Sequence, residues 1–428
     1  MKVQRLRLKN YRGFEDLEIP FNEQFNVLIG DNGKGKTSIL DALSLSLSSY
    51  FLGLDNYYAK SITEKDIRID GFSDNLELQF PIEIEVTGSL DGHLLTWTRD
   101  KISLKGATRQ SDNTYLLKSR AKEHQEKVRS NEFVNLPVFS YYGTGRLWKE
   151  KNDKYKIKPK SSRFDGYTFA LDSESSSKHF IEKMKTWELA VLQKTIEPSP
   201  LAVIKRAVSF FLEKSENIYY DVINDNLMFA SFDQEQEKIQ RKPWNLLSDG
   251  YRNVIAIAAD LAYKCVILNP HLRDDAAELS EGVVLIDEID LHLHPKWQRK
   301  IVDSFKTAFP KLQFITTTHS PFIIQSLKNE ELFDLQGKDY DSDYLSKSID
   351  EISEYEMGVT NVTKSEKFQK MVFNAESYYS LITELKTVEN IDYKSAINKK
   401  LDDMEQHYEA FNPAYVALLK SERKANRV

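Results

Sequence analysis

A glycine-rich loop close to the amino terminus limits the possible folds of this chain more than any other segment. Residues 30–37 read GDNGKGKT, which matches the pattern G-x-x-x-x-G-K-[ST]. An apolar run typical of a strand, residues 25–29, comes directly before the loop, and a helical pattern at residues 37–52 follows it. Glycine lets backbone N–H groups turn toward a phosphate chain, and the start of a helix attracts anions. The sequence therefore predicts an α/β fold with a phosphate-binding loop.

Individual residues of this loop are predicted to contact the phosphates of a nucleotide and Mg²⁺. Lys36 would reach the β- and γ-phosphates, and the Thr37 hydroxyl would bind Mg²⁺. The predicted nucleotide-binding residues of the loop are Asn32, Gly33, Gly35, Lys36, Thr37 and Ser38. By itself the motif fits a kinase or a GTPase as well as an ATPase, so the class of enzyme has to come from other segments.

A second apolar run ends in two acidic residues. Residues 283–286 read VVLI and are followed by Asp287 and Glu288. Continuous apolar character is typical of a parallel strand covered on both faces, and open α/β sheets bind ligands at the carboxyl ends of such strands. Asp287 would hold Mg²⁺ through water, and Glu288 would orient and deprotonate the attacking water. Taken alone, the acids also fit a charged strand end at the surface; together with the phosphate loop they favour catalysis.

A short polar segment, LSDG at residues 247–250, precedes an apolar helical pattern. Ser248 is a candidate amino-terminal cap of that helix, and Gly250 would keep the helix start open to an anion. The order of the motifs resembles that of ABC-type ATPases in the SMC, RecF and OLD-like group, and kinases and GTPases lack this element. The resemblance implies that Ser248 and Gly250 of one subunit close on the γ-phosphate bound by the other. It therefore implies an ATP-dependent homodimer or a higher oligomer.

Three further residues fit the resemblance. Asp290 stands at the D-loop position, and His319, at the end of the strand pattern ITTTHS, stands where the family has a switch histidine that senses the γ-phosphate. Arg12 in the segment NYRGF matches an amino-terminal arginine that lies near the nucleotide. The site implied by the resemblance comprises Glu288 and His319 as catalytic residues, Thr37 and Asp287 as metal ligands, and Arg12, Ser248, Gly250 and Asp290 as further nucleotide contacts.

One residue expected from the resemblance is missing. The family often has a glutamine after the strand that ends near Tyr141, whereas this chain reads SYYGTGR at residues 140–146. The residue that makes the Mg²⁺ contact usually assigned to that glutamine is therefore not identified by the motif. Tyr141, Thr144 and Arg146 are the candidates for it.

Strand and helix patterns divide the chain into four predicted regions. We expect an ABC-type P-loop ATPase head with a mixed sheet, a helical insertion and a helical carboxy-terminal extension. Two strands are expected within residues 1–30, and alternation with an Asp-Gly turn at residues 75–100 predicts antiparallel hairpins. The predicted boundaries are residues 1–148 for the first ATPase lobe, 149–243 for the mainly helical insertion, 244–338 for the second lobe and 339–428 for an extension that binds a partner.

The sequence RLW follows YYGTG at residues 141–145, and the insertion and extension are short. In these features the chain resembles the Septu-type ATPases of prokaryotic defence operons, which also occur beside some retrons and pair with an HNH nuclease. The resemblance implies an ATP-hydrolysing subunit of an antiphage defence complex that dimerises on ATP and regulates an HNH-type nuclease. The alternative is a RecF-like DNA repair ATPase that binds DNA without a nuclease.

Composition limits the classes of partner and the cellular compartment that we expect for this protein. The formal net charge of −6 gives no global positive field, so DNA or RNA binding would need a local patch such as the lysines of residues 149–160. The only cysteine, Cys265, cannot form an internal disulfide, and no stretch approaches the roughly 20 apolar residues of a membrane span. We therefore expect a cytoplasmic protein without a membrane partner. We expect His292 and His294 at the dimer interface rather than on a metal, and a solvated acidic loop rather than a nuclease site at residues 339–343.

Overall fold

The architecture comes from a computed structural model, which describes residues 1–72, 75–111, 113–147, 162–173, 178–193, 199–212, 217–233, 238–337, 344–359, 366–409 and 412–426. Contacts divide the chain into two units, Met1–Ile352 and Ser353–Val428. The lysines of residues 149–160 and the acidic residues 339–343 lie outside the described residues.

The first unit contains the described strands together with many helices, whereas the described elements of the second unit are helical. The strands are β1 (Lys2–Tyr11), β2 (Phe14–Pro20), β3 (Phe25–Ile29), β4 (Ile69–Phe72), β5 (Asn75–Leu78), β6 (Ile82–Leu90), β7 (His93–Lys101), β8 (Arg109–Gln110), β9 (Val138–Tyr142), β10 (Asn217–Asp221), β11 (Asn226–Asp233), β12 (Lys238–Pro243), β13 (Gly282–Ile286), β14 (Leu312–Thr317) and β15 (Leu332–Asp334). The helices are α1 (Lys36–Leu47), α2 (Thr114–Arg129), α3 (Lys178–Leu192), α4 (Ser199–Ser209), α5 (Asp249–Leu268), α6 (Ala276–Leu279), α7 (Pro295–Gln298), α8 (Ile301–Ala308), α9 (Pro321–Ile324), α10 (Ile349–Glu351), α11 (Glu366–Thr387), α12 (Ile391–Glu409) and α13 (Pro413–Ala425).

A parallel sheet with the strand order β15-β3-β14-β13-β9 positions the predicted motifs. Every residue of β3, β9, β13 and β14 is buried, and for β13 the continuous apolar run of residues 283–286 predicted this. Because these strands all run in one direction, their carboxyl ends meet at the same edge of the sheet. That edge receives the phosphate loop after β3, the two acids after β13 and His319 after β14.

A second sheet, with the order β2-β1-β6-β7-β8, is antiparallel, so the unit combines both sheet types as predicted. Asp91 and Gly92 join β6 to β7 with φ angles of +51° and +75°, which confirms the predicted hairpin turn. Residues 1–30 contain three strands instead of the expected two. The additional strand, β2, lies at the sheet edge with most side chains exposed, and it therefore lacks the apolar alternation that marks a half-buried strand.

The segment predicted to be a mainly helical insertion, residues 149–243, also contains a sheet. The helices α3 and α4 follow the expected patterns, but β10, β11 and β12 form an antiparallel sheet. Ile218, Leu227 and Phe229 of this sheet are buried. The helical expectation was incomplete because these short strands depend on pairing with one another and on burial, which a local pattern does not reveal.

The second unit, Ser353–Val428, confirms the helical character predicted for the carboxy-terminal extension. Its helices α11, α12 and α13 share a buried apolar core of Tyr378, Ile382, Leu385, Ile397, Leu401 and Leu419. Arg423 forms ion pairs with Asp402 and Glu405 beside this core. Of the helices that the structure describes in either unit, none has both the length and the apolar composition needed to cross a membrane.

Candidate functional site

The phosphate loop connects the end of β3 to the start of α1. Its backbone turns at Gly33 and Gly35, whose φ angles of +83° and +92° lie in the left-handed region that glycine adopts without steric cost. A Cβ at position 35 would lie 2.5 Å from the ring of Phe14, so this position accepts only glycine without rearrangement. A Cβ at position 33 would meet none of the described atoms within 4 Å, and Asn32 beside it is exposed. One side of the loop is therefore open to a ligand.

Lys36, the first residue of α1, is buried against the loop that precedes it. Its Nζ donates hydrogen bonds to the carbonyl oxygens of Gly30 at 2.6 Å and Asp31 at 3.1 Å. Burial lowers the pKa of Lys36, while the carboxylates of Asp287 and Glu288 act in the opposite direction. The fold thus brings the lysine of the loop within electrostatic range of both acids of the second motif.

Asp287 lies between two hydroxyl groups and is almost fully buried. Thr37 Oγ1 donates to Oδ2 of Asp287 at 2.8 Å, and Thr317 Oγ1 donates to Oδ1 at 2.6 Å. Mg²⁺ prefers oxygen ligands and is usually held by one or two carboxylates together with substrate phosphates. The adjacent hydroxyl of Thr37 and carboxylate of Asp287 at the phosphate loop are a donor set that fits this ion.

Glu288 follows Asp287 in a backbone conformation that is uncommon for its residue type. Its φ angle is +47°, in the left-handed region. The Glu288 N–H donates to Thr317 Oγ1 at 2.7 Å, and its carbonyl oxygen accepts a hydrogen bond from the N–H of Leu291 at 3.0 Å. The chain therefore turns away from β13 directly after the buried aspartate, and the Glu288 side chain is only half-buried.

The end of β14 lies beside this turn and brings in two more of the predicted residues. Thr318 Oγ1 donates to Oδ1 of Asp290 at 2.6 Å. Ser320 caps the short helix α9 with its side chain. Between these two anchored residues, His319 is exposed. Asp290 and His319 therefore lie at the same sheet edge as the phosphate loop and the acids.

The segment with Ser248 and Gly250 begins helix α5. Ser248 occupies the cap position and is exposed, but its side chain does not make the expected capping hydrogen bond. Gly250 is buried, and a Cβ at this position would lie 2.0 Å from the carbonyl oxygen of His292. His292 follows Asp290 by two positions and has a φ angle of +60°. Gly250 therefore joins residues 247–250, called the signature segment below, to the predicted D-loop of residues 290–292 in the same chain, where the sequence had indicated an open helix start.

Arg12 is held by two carboxylates next to α1. Its Nη1 donates to Asp41 Oδ2 at 2.7 Å and to Ser38 Oγ at 3.4 Å. Its Nε and Nη2 both donate to Asp66 Oδ1, at 3.1 Å and 2.8 Å. Arg12 and Ser38 thus contact each other beside the phosphate loop. That Arg12 contacts the nucleotide stays a prediction.

The strand end that lacks the expected glutamine adds Tyr141 to this network. Tyr141 is 1% exposed, and its hydroxyl donates to Asp41 Oδ1 at 2.9 Å. Burial raises the pKa of Tyr141, and the Asp41 carboxylate acts in the same direction, so the phenol is a neutral donor. Asp41 therefore connects Tyr141 to Arg12. Of the other candidates for this position, Thr144 is exposed and the Arg146 side chain lies outside the described part of the chain.

Four residues of the site were not predicted: Asp41, Asp66, Thr317 and Thr318. The two threonines stand in the pattern ITTTHS, directly before a predicted site histidine. Their hydroxyl groups at the end of a predicted buried strand were the feature of the sequence that could have indicated a role in the site. Their partners depend on the alignment of β14 with β13, which the sequence does not provide.

Matches to known proteins cover most of the chain. The chain is 28% identical over 396 residues to a protein named Retron Vc95 probable ATPase from Vibrio cholerae serotype O1 biovar El Tor, in a match that covers 79% of this chain and 74% of that protein. It is 26% identical over 357 residues to the Septu protein PtuA from Bacillus mycoides, and this match covers 81% of this chain and 42% of that protein. The similarity to this PtuA thus extends over less than half of the longer protein.

Among solved structures, the chain is similar to the SMC head domain from Thermotoga maritima, with 15% identity, a TM-score of 0.45 and coverage of 78% of this chain and 94% of that chain. A family model described as "AAA domain, putative AbiEii toxin, Type IV TA system" matches residues 25–325. The matched range is more than half of the chain and includes the phosphate loop, the signature segment, the two acids and His319. The chain therefore belongs to this family of AAA domains.

Proposed function

We propose that the chain hydrolyses ATP with Mg²⁺ at the carboxyl edge of its parallel sheet. The observation that carries this proposal is the 2.8 Å hydrogen bond from Thr37 to Asp287, which joins the phosphate loop to the acidic strand end. Phosphate-loop NTPases hold their metal ion with a hydroxyl of the loop and an acid of this type. Glu288 follows that acid directly, where it is suited to act on a water molecule.

Each residue of the site has a separate role in the proposed reaction. Backbone N–H groups of the loop bind phosphate oxygens, and Lys36 exchanges its carbonyl contacts for a phosphate oxygen. Thr37 and Asp287 hold the metal ion. When bound, Mg²⁺ supplies positive charge next to the β- and γ-phosphates. Glu288 accepts a proton from the attacking water, and His319 donates a hydrogen bond to the γ-phosphate.

The proposed reaction takes place between two copies of the chain. Ser248 and His319 are both exposed, so a second copy has access to them. The N–H groups at the start of α5 favour an anion, because the dipole of this long helix is positive there. The packing of Gly250 on His292 makes the signature segment and the D-loop one surface. A partner that carries ATP would contact both segments at once.

The proposed biological role is antiphage defence, in which the ATPase regulates an HNH-type nuclease subunit. Support comes from the relatives named as a Septu protein PtuA and as a retron ATPase, each matched over about four fifths of this chain. The helix α11 of the second unit exposes apolar side chains that suit a protein partner, since Phe373 is 68% exposed and Val372 is 40% exposed.

The experiment that tests the enzymatic proposal measures ATP hydrolysis and assembly of the purified chain. The wild type should hydrolyse ATP only in the presence of Mg²⁺. Ser248→Arg should bind ATP normally but fail to hydrolyse it, whereas Ser130→Arg, at another exposed serine, should remain active. A chain that sediments as an active monomer at all ATP concentrations would contradict the two-copy site.

The proposed partner is tested by expressing the chain together with its neighbouring genes and measuring the mass of the complex that co-purifies. Co-purification of an HNH nuclease supports the defence role. A complex with DNA that contains no nuclease would instead support the RecF-like DNA repair ATPase.

A further inference from the structure

We infer that Thr317 is a positioning residue for both acids of the site, an inference that rests on the function proposed above. Thr317 is the last residue of β14 and is fully buried. Its Oγ1 donates to Oδ1 of Asp287 at 2.6 Å and accepts from the N–H of Glu288 at 2.7 Å. One hydroxyl therefore orients the side chain of the first acid and the backbone of the second.

The backbone of Thr317 adds a third contact to the same turn. Its carbonyl oxygen accepts a hydrogen bond from the N–H of Ile289 at 3.0 Å. Asp287 and Ile289, on either side of Glu288, are thus both hydrogen-bonded to Thr317. The N–H of Glu288 is hydrogen-bonded to Thr317 as well. Its left-handed φ of +47° is a conformation that L-residues rarely adopt unless their surroundings impose it. The direction in which the Glu288 side chain leaves the turn therefore depends on Thr317.

The chemistry of the position requires a hydroxyl group. The Asp287 carboxylate needs a donor, and the Glu288 amide needs an acceptor, and a hydroxyl supplies both from one atom. Thr37 bonds the other oxygen of Asp287. The two threonines together therefore fix the plane of the carboxylate, so that one oxygen faces the phosphate loop and the other faces β14. Loss of the Thr317 hydroxyl removes the donor to Oδ1 of Asp287 and the acceptor of the Glu288 N–H.

The same strand contains a matched control. Thr316, one residue earlier, is also fully buried, and its Oγ1 donates to the carbonyl oxygen of Asn26 on β3 at 3.2 Å. Successive side chains of a strand point to opposite faces of the sheet, so this hydroxyl lies on the face away from that of Thr317. Threonine-to-valine substitution at either position removes one buried hydroxyl and keeps the side-chain shape.

The experiment compares steady-state hydrolysis of ATP with Mg²⁺ by the full-length wild type, Thr317→Val, Thr317→Ser and Thr316→Val, with thermal unfolding of each. Thr317→Val should lower kcat by roughly 10- to 100-fold, because a displaced base loses its geometry. KM for ATP should change little, since the phosphate contacts come from the loop. Thr317→Ser should keep kcat near the wild-type value, and Thr316→Val should do the same. A purely structural role would lower the unfolding temperature without lowering kcat selectively, and it would not distinguish Thr317→Val from Thr316→Val.

Equal losses of kcat in Thr317→Val and Thr316→Val would overturn the inference, as would a failure of Thr317→Ser to retain kcat. If Thr317→Val does not fold, Thr317→Ser and Thr317→Ala replace it, because both lack the methyl group and only alanine lacks the hydroxyl. Equal kcat values for that pair would also overturn the inference. A wild type that does not turn over ATP would overturn the proposed function and this inference together. Equal turnover by the wild type and Thr317→Val would overturn this inference alone.

Discussion

The hydroxyl of Thr37 donates a hydrogen bond to the carboxylate of Asp287, which lies 250 positions later in the chain. Thr37 belongs to α1, which follows β3 and the phosphate loop, and Asp287 follows β13. Strand β14 lies between β3 and β13 in the sheet and contributes Thr317 to the same carboxylate. Side chains from two other segments, distant in sequence, therefore contact one aspartate. Substitutions at different residues of the site should accordingly affect different steps, namely ATP binding, hydrolysis or stability.

Replacement of Lys36 by alanine should weaken ATP binding by roughly 100-fold or more, because the proposed charge-assisted contact with the phosphate oxygens is lost, together with a positive charge that interacts with Asp287 and Glu288. Titration of the purified chain with a fluorescent ATP analogue measures this. Lys122→Ala, which removes an exposed lysine of α2, should bind as the wild type does. Unchanged affinity in Lys36→Ala would contradict the assignment of the loop.

Replacement of Glu288 by glutamine should preserve ATP binding and reduce hydrolysis by about 10²–10⁴-fold, the usual effect of losing a positioned base. The amide keeps the shape of the side chain but cannot take a proton from water. Phosphate release measures turnover, and sedimentation with ATP should show more dimer than for the wild type. The exposed-surface control is Glu330→Gln. Wild-type turnover by Glu288→Gln would refute the role of this acid.

Replacement of Gly250 by alanine should destabilise the first unit by about 1–3 kcal/mol, because the new methyl group would meet the carbonyl oxygen of His292 at 2.0 Å. The displaced D-loop should also lower ATP hydrolysis while ATP binding persists. Gly13→Ala is the matched control, since a Cβ there meets none of the described atoms within 4 Å. Thermal unfolding and turnover are measured for both. If the two variants unfold at the same temperature, the proposed close packing is wrong.

Asp66 should contribute to the loss of stability in acid. Burial opposes its charge, but hydrogen bonds from Thr63 and Arg12 outweigh burial and lower the pKa of Asp66 from its ordinary value. A carboxylate with a lowered folded-state pKa stabilises the fold fully above its ordinary pKa, and this contribution is lost as the pH falls through the lower value. Asp66→Asn should therefore unfold at a lower temperature than the wild type at pH 7, and the difference should shrink as the pH falls below about 4. A difference that stays constant over this range would exclude the effect.

If the proposed nuclease partner binds α11, Phe373→Ser should release it without changing ATP hydrolysis. Phe373 is 68% exposed on α11, so its loss does not open a cavity in the core of the second unit. Co-purification with the products of neighbouring genes measures binding, and Leu94→Ser, at an equally exposed residue of β7, is the control. Retention of the partner by Phe373→Ser would place its binding surface elsewhere. Cleavage of DNA or RNA by the chain alone would contradict the need for a nuclease partner.

Motifs that are contiguous in sequence were predicted well. The loop of residues 30–37 needs left-handed backbone angles at Gly33 and Gly35, and the glycines that allow these angles are visible in the local sequence. The apolar run before Asp287 indicated a strand buried on both faces, and the end of such a strand is a predictable place for an acid. The short strands β10 to β12 were missed, because their stability comes from pairing with each other.

The sequence by itself determined the strand and helix that flank the phosphate loop, the buried strands and the presence of two acids at a strand end, since these depend on local conformation and on apolar patterning. Only the tertiary structure decided the partners of Thr317, the contact of Gly250 with His292 and the link from Tyr141 through Asp41 to Arg12. These contacts join segments far apart in the chain. Their geometry follows from the alignment of neighbouring strands and from close packing, neither of which a local pattern contains.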